Sequence, residues 1–332
     1  MSYYQNVLKS LQARNGESVA SLHVGDARVG FAFSTKDRVD FTTSTLASID
    51  TEGGFDLIWV DGSVTPEGRK MPYQVKLRHA QLVEIHSDIR GGPDRAICFS
   101  LKRLLDLGYD YCGLIENDMI FEPGWYSTLL GLFARTAADG VRCGAATVRG
   151  FRSRALEYRR GYFLCWNVGA GMVLFSRRAA QLLLDQYQTL AGMTARRVWR
   201  FYAETFGVDL GGIWDMWCEA PDRPLGMDWG YSPLLYRHGF ASVGSIPSMT
   251  CDLEFDVELL LRTQYVTADQ DNAGTVWPRV SAARILQKRI EDPFFKIGWF
   301  GLNRMPHLRN RIAAAHKART SAGKPAIKLI RS

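Results

Sequence analysis

The feature that most constrains the fold is an alternation of apolar strand-like runs and helical runs that begins at Arg28. The run "RVGFAFSTKDR" predicts a strand that closes on a polar loop, and "FTTSTLASID" predicts the helix after it. "FDLIWVDGSVTPEG" predicts a second strand, and "DRAICFSLKRLLDLGY" predicts a strongly periodic helix. Strands that alternate with helices predict an α/β fold, with a Rossmann-like, mostly parallel central sheet and flanking helices.

The rest of the chain predicts further elements and three regions. "YQVKLRHAQLVEIHSD" predicts a helix and a third strand, and "GAGMVLFSRRAAQLLLDQY" predicts a strand and then a helix. "TARRVWRFYAETFGVD" predicts a helix, and "MDWGYSPLLYRHGFASVGSIP" predicts an acidic turn, a helix and a strand. We expect a helical leader over residues 1–27, one α/β domain over 28–265, and a loop with a basic amphipathic helical tail over 266–332.

The stretch "YDYCGLIENDMIFEPGW" carries the first indication of a site. An apolar run predicts a buried strand that ends abruptly in Glu116, Asn117 and Asp118. The triplet alone also fits a plain turn, because Asn and Asp are common turn formers. Two other predicted strands end in polar groups, at residues 34–38 and 61–63, and ligands bind beyond the carboxyl ends of parallel strands. Three polar strand ends on one edge of the sheet favour a ligand site. Their carboxylates would suit a divalent cation.

Composition and charge limit the functions and cellular locations that the chain can be expected to have. The chain has 332 residues, is 46% hydrophobic and carries a formal net charge of +7, much of it after Lys288. A local excess of this kind predicts a tail that contacts anions in general, whether a membrane surface, a nucleic acid or an acidic partner. The charge alone therefore does not indicate a nucleic-acid-binding protein. The six cysteines show no CxxC pair and no zinc-type spacing, which favours reduced thiols. The N-terminus has no signal-peptide core, so we expect a cytoplasmic protein, peripheral on the inner face of the membrane if its tail binds lipid.

The tail has two interpretations that the sequence leaves equally open. "DPFFKIGWFGLNRMPHLRNRIAAAHKAR" interleaves aromatic and basic residues. Such a segment suits an anionic membrane surface. The alternative is that the aromatic residues pack on the domain and the basic residues are simply solvated.

The order of these motifs resembles a known family. The motifs that carry this resemblance are, in order, a strand ending in "STKDR", a strand ending in "VDGS", a helix beginning "DRA", a strand ending in "END", a Gly-rich "NVGAG" and then "DW". Over residues 28–250 the chain resembles the glycosyltransferases of the GT-A fold, among them family 2. The resemblance implies transfer of one sugar, with inversion, from a nucleotide-diphosphate sugar donor. It also implies a hydroxyl acceptor on a glycan, a lipid-linked molecule or a protein, and a divalent metal, Mn²⁺ or Mg²⁺.

The resemblance also implies roles for individual residues. Asp118 looks like the direct metal ligand, and Asp228 matches the base that takes the proton of the acceptor hydroxyl. Asp61 matches the residue that accepts a hydrogen bond from a ring N–H of the nucleotide base, and Glu116 replaces the family's first Asp. The other residues implied in substrate binding are Thr35, Asp37, Arg38, Arg95, Asn117, Gly169, Gly171 and Trp229. Reserve residues are Asp215 and Glu219 for the base and Cys251 or Asp252 for a last metal ligand.

Some of these residues also have purely structural interpretations. Asp228 is equally suited to cap a helix N-terminus, and Gly169 and Gly171 would allow close packing. Residues 61–63 alone would fit a turn. No QxxRW-like motif follows Asp228, which favours transfer of a single sugar over processive synthesis.

Three other functions are weighed against glycosyl transfer. A sugar nucleotidyltransferase usually has a Gly-rich loop after its first strand, and "FSTKDR" has no glycine. A non-catalytic protein that binds a nucleotide or glycan stays open, because Glu116 and Met227 depart from the family pattern. A nucleic-acid binder ranks last, because no aromatic and basic recognition surface appears outside the tail.

Overall fold

The computed structural model describes residues 27–150, 154–207, 221–222 and 224–252, with only the backbone for 251 and 252. The expected helical leader, apart from Ala27, and the expected basic tail lie outside these residues. The strands are β1 Val29–Thr35, β2 Asp56–Asp61, β3 Gln81–His86, β4 Tyr111–Glu116, β5 Met119–Phe121, β6 Cys143–Thr147, β7 Ala155–Arg159, β8 Tyr162–Cys165, β9 Met172–Ser176, β10 Ala241–Ser245 and β11 Thr250–Asp252.

The expected central sheet is present. It has nine strands in the order β3-β2-β1-β4-β9-β6-β10-β8-β7, and β5 pairs separately with β11. The first four strands in this order are parallel neighbours. β9 runs antiparallel to both of its neighbours, and β8 runs antiparallel to β10 and β7. All the other strands of the large sheet run in one direction, so the prediction of a mostly parallel α/β sheet is confirmed.

Helices connect and flank the strands. They are α1 Val39–Ile49, α2 Pro66–Gln74, α3 Gly92–Asp106, α4 Trp125–Ala138, α5 Arg177–Asp185, α6 Tyr187–Leu190, α7 Ala195–Phe206 and α8 Tyr231–Arg237, with a 3₁₀ turn at Met227–Gly230. α3 packs on β1, β4 and α5, and α4 packs on β6 and β10. The apolar face of α3 is buried, as the sequence periodicity predicts, at Ile97, Leu101, Leu104 and Leu105. No helix in the described ranges has the length and apolarity to cross a bilayer.

One expected helix begins and ends earlier than the sequence indicates. The segment from Tyr73 to Asp88 predicts a helix before the third strand, but the helix there is α2, which ends at Gln74. The Thr65 side chain accepts a hydrogen bond from the Gly68 N–H and Pro66 occupies the first turn, so the start signals lie upstream. Val75 is extended, and the helix stops before it.

The central strands are held by close contacts that leave no room for added atoms. Gly113 of β4 lies opposite Phe31 of β1, and a Cβ added at Gly113 would overlap the Phe31 ring. Phe31 in turn packs edge-on against Phe55 and Trp125. A methyl group at Gly113 would therefore push an aromatic cluster out of place.

We predict opposite effects for the same change at two glycines. Gly113→Ala should lower the free energy of unfolding by about 1–3 kcal/mol, because overpacking displaces the Phe31 ring. Gly131→Ala, inside α4 where an added Cβ meets nothing within 4 Å, should raise it by up to about 1 kcal/mol. Urea unfolding of both variants measures the difference, and equal effects would contradict this packing.

Candidate functional site

The three polar strand ends meet at one edge of the sheet, as expected. Parallel pairing sets Thr35 of β1 opposite Asp61 of β2, and Ser34 opposite Glu116 of β4. The loops after these strands therefore leave the sheet side by side. The candidate site lies at this edge.

Asp61 is the most completely defined carboxylate of the site. Its Oδ1 accepts from the Thr35 hydroxyl at 2.8 Å, the Ser63 N–H at 3.1 Å and the Ser63 hydroxyl at 2.6 Å. The direction of the two hydroxyl hydrogen bonds follows from neighbouring N–H groups, which can only donate. Thr35 accepts from the Trp59 indole N–H and Ser63 accepts from the Asp37 N–H, so both hydroxyls are left to donate to Asp61.

The second carboxylate oxygen of Asp61 differs from the first in its hydrogen bonding. The residue is 1% exposed, and its Oδ2 is buried without a hydrogen-bond partner among the residues that the structure describes. A buried acceptor that stays unpaired costs about 1–3 kcal/mol. The oxygen is therefore suited to a ligand that donates an N–H or O–H.

The loop after β1 is held in a strained conformation. Asp37 and Arg38 have φ angles of 53° and 50°, in the left-handed region that side chains other than glycine rarely adopt. Asp37 Oδ1 stabilises the loop by accepting from the backbone N–H groups of Val64 and Thr65 and from the Thr65 hydroxyl. Asp37 thus anchors this loop to the start of α2, and its predicted substrate contact stays a prediction.

The "END" turn is fixed on helix α1. Asn117 is buried, and its amide donates to the Thr42 hydroxyl at 2.8 Å. One turn along the helix, the Thr45 hydroxyl accepts from the Met119 N–H at 3.2 Å. These bonds assign Asn117 an anchoring role in this turn, while its implied substrate contact is untested.

Asp118 is paired with an arginine from the neighbouring loop. Arg38 Nη1 lies 3.3 Å from Asp118 Oδ2, and the two side chains are 26% and 23% exposed. The Arg38 guanidinium also lies over the Phe41 ring at 5.5 Å. The ion pair thus joins the loop after β1 to the turn after β4.

The glycine-rich loop before β9 lets two arginines approach the backbone. A Cβ at Gly171 would lie 2.8 Å from Arg149 Nη1 and 3.3 Å from Glu116 Oε2. Gly169 has a φ of 72°, and a Cβ there would lie 3.0 Å from Arg154 Nη1. The two glycines are therefore needed for close approach, and they bring positive charge beside Glu116.

A chain of hydrogen bonds joins this loop to the 3₁₀ turn. Arg154 Nη1 donates to Asn167 Oδ1 at 2.8 Å, and Asn167 Nδ2 donates to the Tyr202 hydroxyl at 2.8 Å. Tyr202 donates its proton to the carbonyl of Trp229 at 2.5 Å. Burial lowers the pKa of Arg154 to about 10, so the arginine stays charged at neutral pH.

Asp228 lies in the 3₁₀ turn and does not cap helix α8. The residue at the N-cap of α8 is Gly230, so the capping interpretation of Asp228 is wrong. Burial raises the pKa of Asp228 to about 6, the nearby Arg154 charge lowers it and the Asp94 charge raises it further. The carboxyl can therefore exchange a proton close to neutral pH.

The acidic residues at this edge fit a metal ion only in part. Mg²⁺ and related cations take oxygen ligands and are often held by one or two carboxylates plus substrate phosphates. Asp118 offers one carboxylate, but its Oδ2 faces Arg38. In the described ranges no three acidic, His or Cys side chains are grouped to hold an ion by themselves. Substrate phosphates would have to complete the coordination.

The remaining predicted residues are exposed, partly buried or outside the described part of the chain. Arg95 is exposed on the first turn of α3, with its side chain beside Gly91. The Trp229 side chain is partly buried against the core. Asp215 and Glu219 lie outside the described residues, as do the side chains of Cys251 and Asp252.

The structure adds seven residues to the site that carry no individual role in the prediction from sequence: Ser63, Asp94, Arg149, Arg154, Asn167, Tyr202 and Tyr231. Three of them lie in quoted motifs, Ser63 in "VDGS", Asp94 in "DRA" and Asn167 in "NVGAG". Their roles depend on partners distant in the chain, so the motifs alone do not assign them.

Comparisons with known proteins give distant structural likenesses. No protein-family model matches the chain, and no curated protein matches it. Residues 1–349 of TarS from S. aureus are 8% identical, with 84% of this chain and 74% of that chain covered and a TM-score of 0.44. The glycosyltransferase GlyE from Streptococcus pneumoniae is 12% identical, with 65% and 45% covered and a TM-score of 0.37.

A third similar structure is the mannosyltransferase PcManGT from Pyrobaculum calidifontis in complex with GDP-Man and Mn²⁺. It is 15% identical, with 55% of each chain covered and a TM-score of 0.34. The chain spans 29% of a longer TarS structure. At such TM-scores the likenesses assign no role to any residue of this chain.

We predict that Asp228→Asn stabilises the protein at neutral pH. Because the folded protein binds the Asp228 proton more tightly than the unfolded chain, stability falls as pH rises from about 4 to about 6. Asn removes this penalty, so unfolding at pH 7 should cost about 1–3 kcal/mol more, with little difference at pH 3.5. Urea unfolding at the two pH values is the measurement, and a pH-independent difference would contradict the raised pKa.

Proposed function

We propose that the chain is a glycosyltransferase that moves one sugar from a nucleotide-diphosphate sugar to a hydroxyl acceptor. The observation that carries this proposal is the buried, unpartnered Oδ2 of Asp61 at the carboxyl edge of a parallel sheet. A ring N–H of a nucleotide base is a donor of the kind that this oxygen requires. The motif order from residue 28 to residue 250 supports the same function.

The donor phosphates would be bound by the charged groups beside Asp61. Arg38 and Arg149 lie around Asp118 and Glu116, and guanidinium groups bind phosphate in a bidentate way. Asp118 would hold a divalent cation together with the phosphates, with Glu116 nearby. When bound, Mn²⁺ or Mg²⁺ stabilises the negative charge of the leaving nucleotide.

Asp228 would take the proton of the acceptor hydroxyl. Its pKa of about 6 leaves most of the carboxylate ionised at pH 7 while keeping its proton affinity well above that of an ordinary Asp. The Tyr202–Trp229 hydrogen bond holds the turn that carries Asp228. A base on the face opposite the leaving group would give inversion at the sugar.

The finer parts that follow the resemblance are a single transfer, an acceptor that is a glycan, lipid-linked molecule or protein, and a role in polysaccharide biosynthesis. The N-terminal sequence and the basic tail support a cytoplasmic location with the tail near the membrane. The second candidate is a non-catalytic protein that binds a nucleotide or a glycan, which the departures at Glu116 and Met227 leave open. Donor hydrolysis without acceptor distinguishes them, because a binding protein would release no free sugar.

We predict that Asp61→Asn lowers nucleotide affinity at least about tenfold. The donors on Oδ1 should hold the Asn oxygen in place, so the Asn amide would replace Oδ2 and present a second donor to the base N–H. Calorimetric titration with UDP, GDP, CMP and dTDP, with and without Mn²⁺, is the measurement.

Asp56→Asn is the matched control for this titration. Asp56 lies at the other end of the same strand and accepts from the Tyr109 hydroxyl at 2.7 Å, so its loss should leave nucleotide affinity unchanged. If none of the four nucleotides binds the wild type, the proposed donor site is wrong.

We predict that Arg38→Ala strengthens the weak binding that Mn²⁺ shows without phosphates by about two- to fivefold, as expected for an ion pair worth up to about 1 kcal/mol. Arg38 and a metal compete for Asp118, so removal of the guanidinium removes one competitor for the carboxylate. Titration followed by the electron paramagnetic resonance of free Mn²⁺ measures this, and Asp118→Ala should abolish binding at this site.

Arg159→Ala is the control for the metal titration. It breaks an Arg–Glu157 pair of 2.8 Å on strand β7 and should leave Mn²⁺ affinity as in the wild type. An unchanged affinity in Arg38→Ala would remove Asp118 as the metal ligand.

A further inference from the structure

Asp94 joins three segments that are far apart in the chain. It lies in the first turn of α3, and its Oδ1 accepts from the Met227 N–H at 2.8 Å. The carboxylate also accepts from the backbone N–H of Gly192, in the connection between α6 and α7. Asp94 thus ties the turn that carries Asp228 to the helix and to this connection.

Asp94 also lies beside the carboxylate of Asp228. A Cβ placed on Gly226 would be 2.5 Å from Asp228 Oδ1 and 3.5 Å from Asp94 Oδ1. Both distances start from the same point, so the two carboxylates are neighbours. A side chain at residue 226 would collide with them, which explains the glycine before the 3₁₀ turn.

The other charged and titratable groups around Asp228 come from different elements. Arg154, at the start of β7, is the cation that opposes the effect of Asp94 on Asp228. Tyr202 of α7 and Tyr231 of α8 also interact electrostatically with Asp228, and Tyr231 in addition with Glu116. Asp94 is the carboxylate among them that also holds the backbone of the Asp228 turn.

We propose that Asp94 is a positioning residue that fixes the turn of Asp228 and, through its negative charge, sets the proton affinity of the Asp228 carboxylate. The catalytic meaning of this inference rests on the proposed function. An Asn oxygen could accept from the Met227 N–H as Asp94 Oδ1 does, so this bond by itself does not require a carboxylate. A like charge beside a buried carboxylate makes it a stronger base.

The test measures the Asp228 carboxyl directly, without any substrate. Protein labelled with ¹³C at aspartate carboxyl carbons is titrated by NMR, and the Asp228 signal is assigned by its loss in Asp228→Asn. In Asp94→Asn the Met227 amide signal should stay in place, while the pKa of Asp228 falls by about 0.5–1 unit. An unchanged Asp228 titration in this variant would overturn the proposal.

Asp50→Asn is the matched control. Asp50 also accepts from backbone N–H groups, those of Arg78, His79 and Ala80, but it lies at the end of α1. Its replacement should leave the Asp228 titration unchanged. If both variants shifted Asp228 equally, a general loss of packing would explain the effect and the proposal would fail.

A second measurement does not depend on a variant that folds. In the wild type, the Asp228 carbon should respond over the pH range in which the Asp94 carbon titrates as well as over its own, because the two carboxylates interact. An Asp228 carbon that does not respond to the ionisation of Asp94 would count against the coupling.

Activity assays separate this proposal from the proposed function. Where transfer is measurable, the acidic limb of kcat against pH should move to lower pH in Asp94→Asn and keep its position in Asp50→Asn. A shifted NMR titration without any transferase activity would uphold the role of Asp94 and refute glycosyl transfer.

Discussion

The parallel register of β2, β1 and β4 is the constraint on which the site depends. β1 lies between the other two, so one strand aligns Asp61 on one side and Glu116 on the other. The overlap that a Cβ at Gly113 would have with Phe31 shows how tightly that register is packed. A shift of one residue along β1 would reverse the faces of its side chains and separate Thr35 from Asp61.

Charge compensation is the second organising feature. Asp61 Oδ1 is surrounded by donors, Asp118 faces Arg38, and Asp94 accepts backbone N–H groups. Burying a carboxylate without such partners would be costly. A phosphate ligand and a cation would therefore replace existing partners of these residues rather than enter an uncharged cleft. In the proposed donor site, a cation held by Asp118 would leave the Arg38 guanidinium available to the donor phosphates.

Much of the fold could be predicted from the sequence because β1, β2 and β4 are continuous apolar runs that end in polar residues. Strand β7 was not predicted because it is half-exposed and its residues do not alternate clearly between buried and exposed positions. The site was predicted less completely. Sequence marks Asp61 as a carboxylate at a strand end, but it cannot show which oxygen is left for a ligand. Asp94 meets Met227 across 133 residues, and no local pattern reveals such a contact.

Three costly features belong to residues of the candidate site. The left-handed pair at Asp37 and Arg38, the orphaned Asp61 oxygen and the raised pKa of Asp228 each oppose folding. None of them is needed to close the sheet, because the central strands are buried and paired without them. Local violations that a stable core supports mark sites kept for binding or chemistry. These costs therefore support a functional role for the residues that carry them.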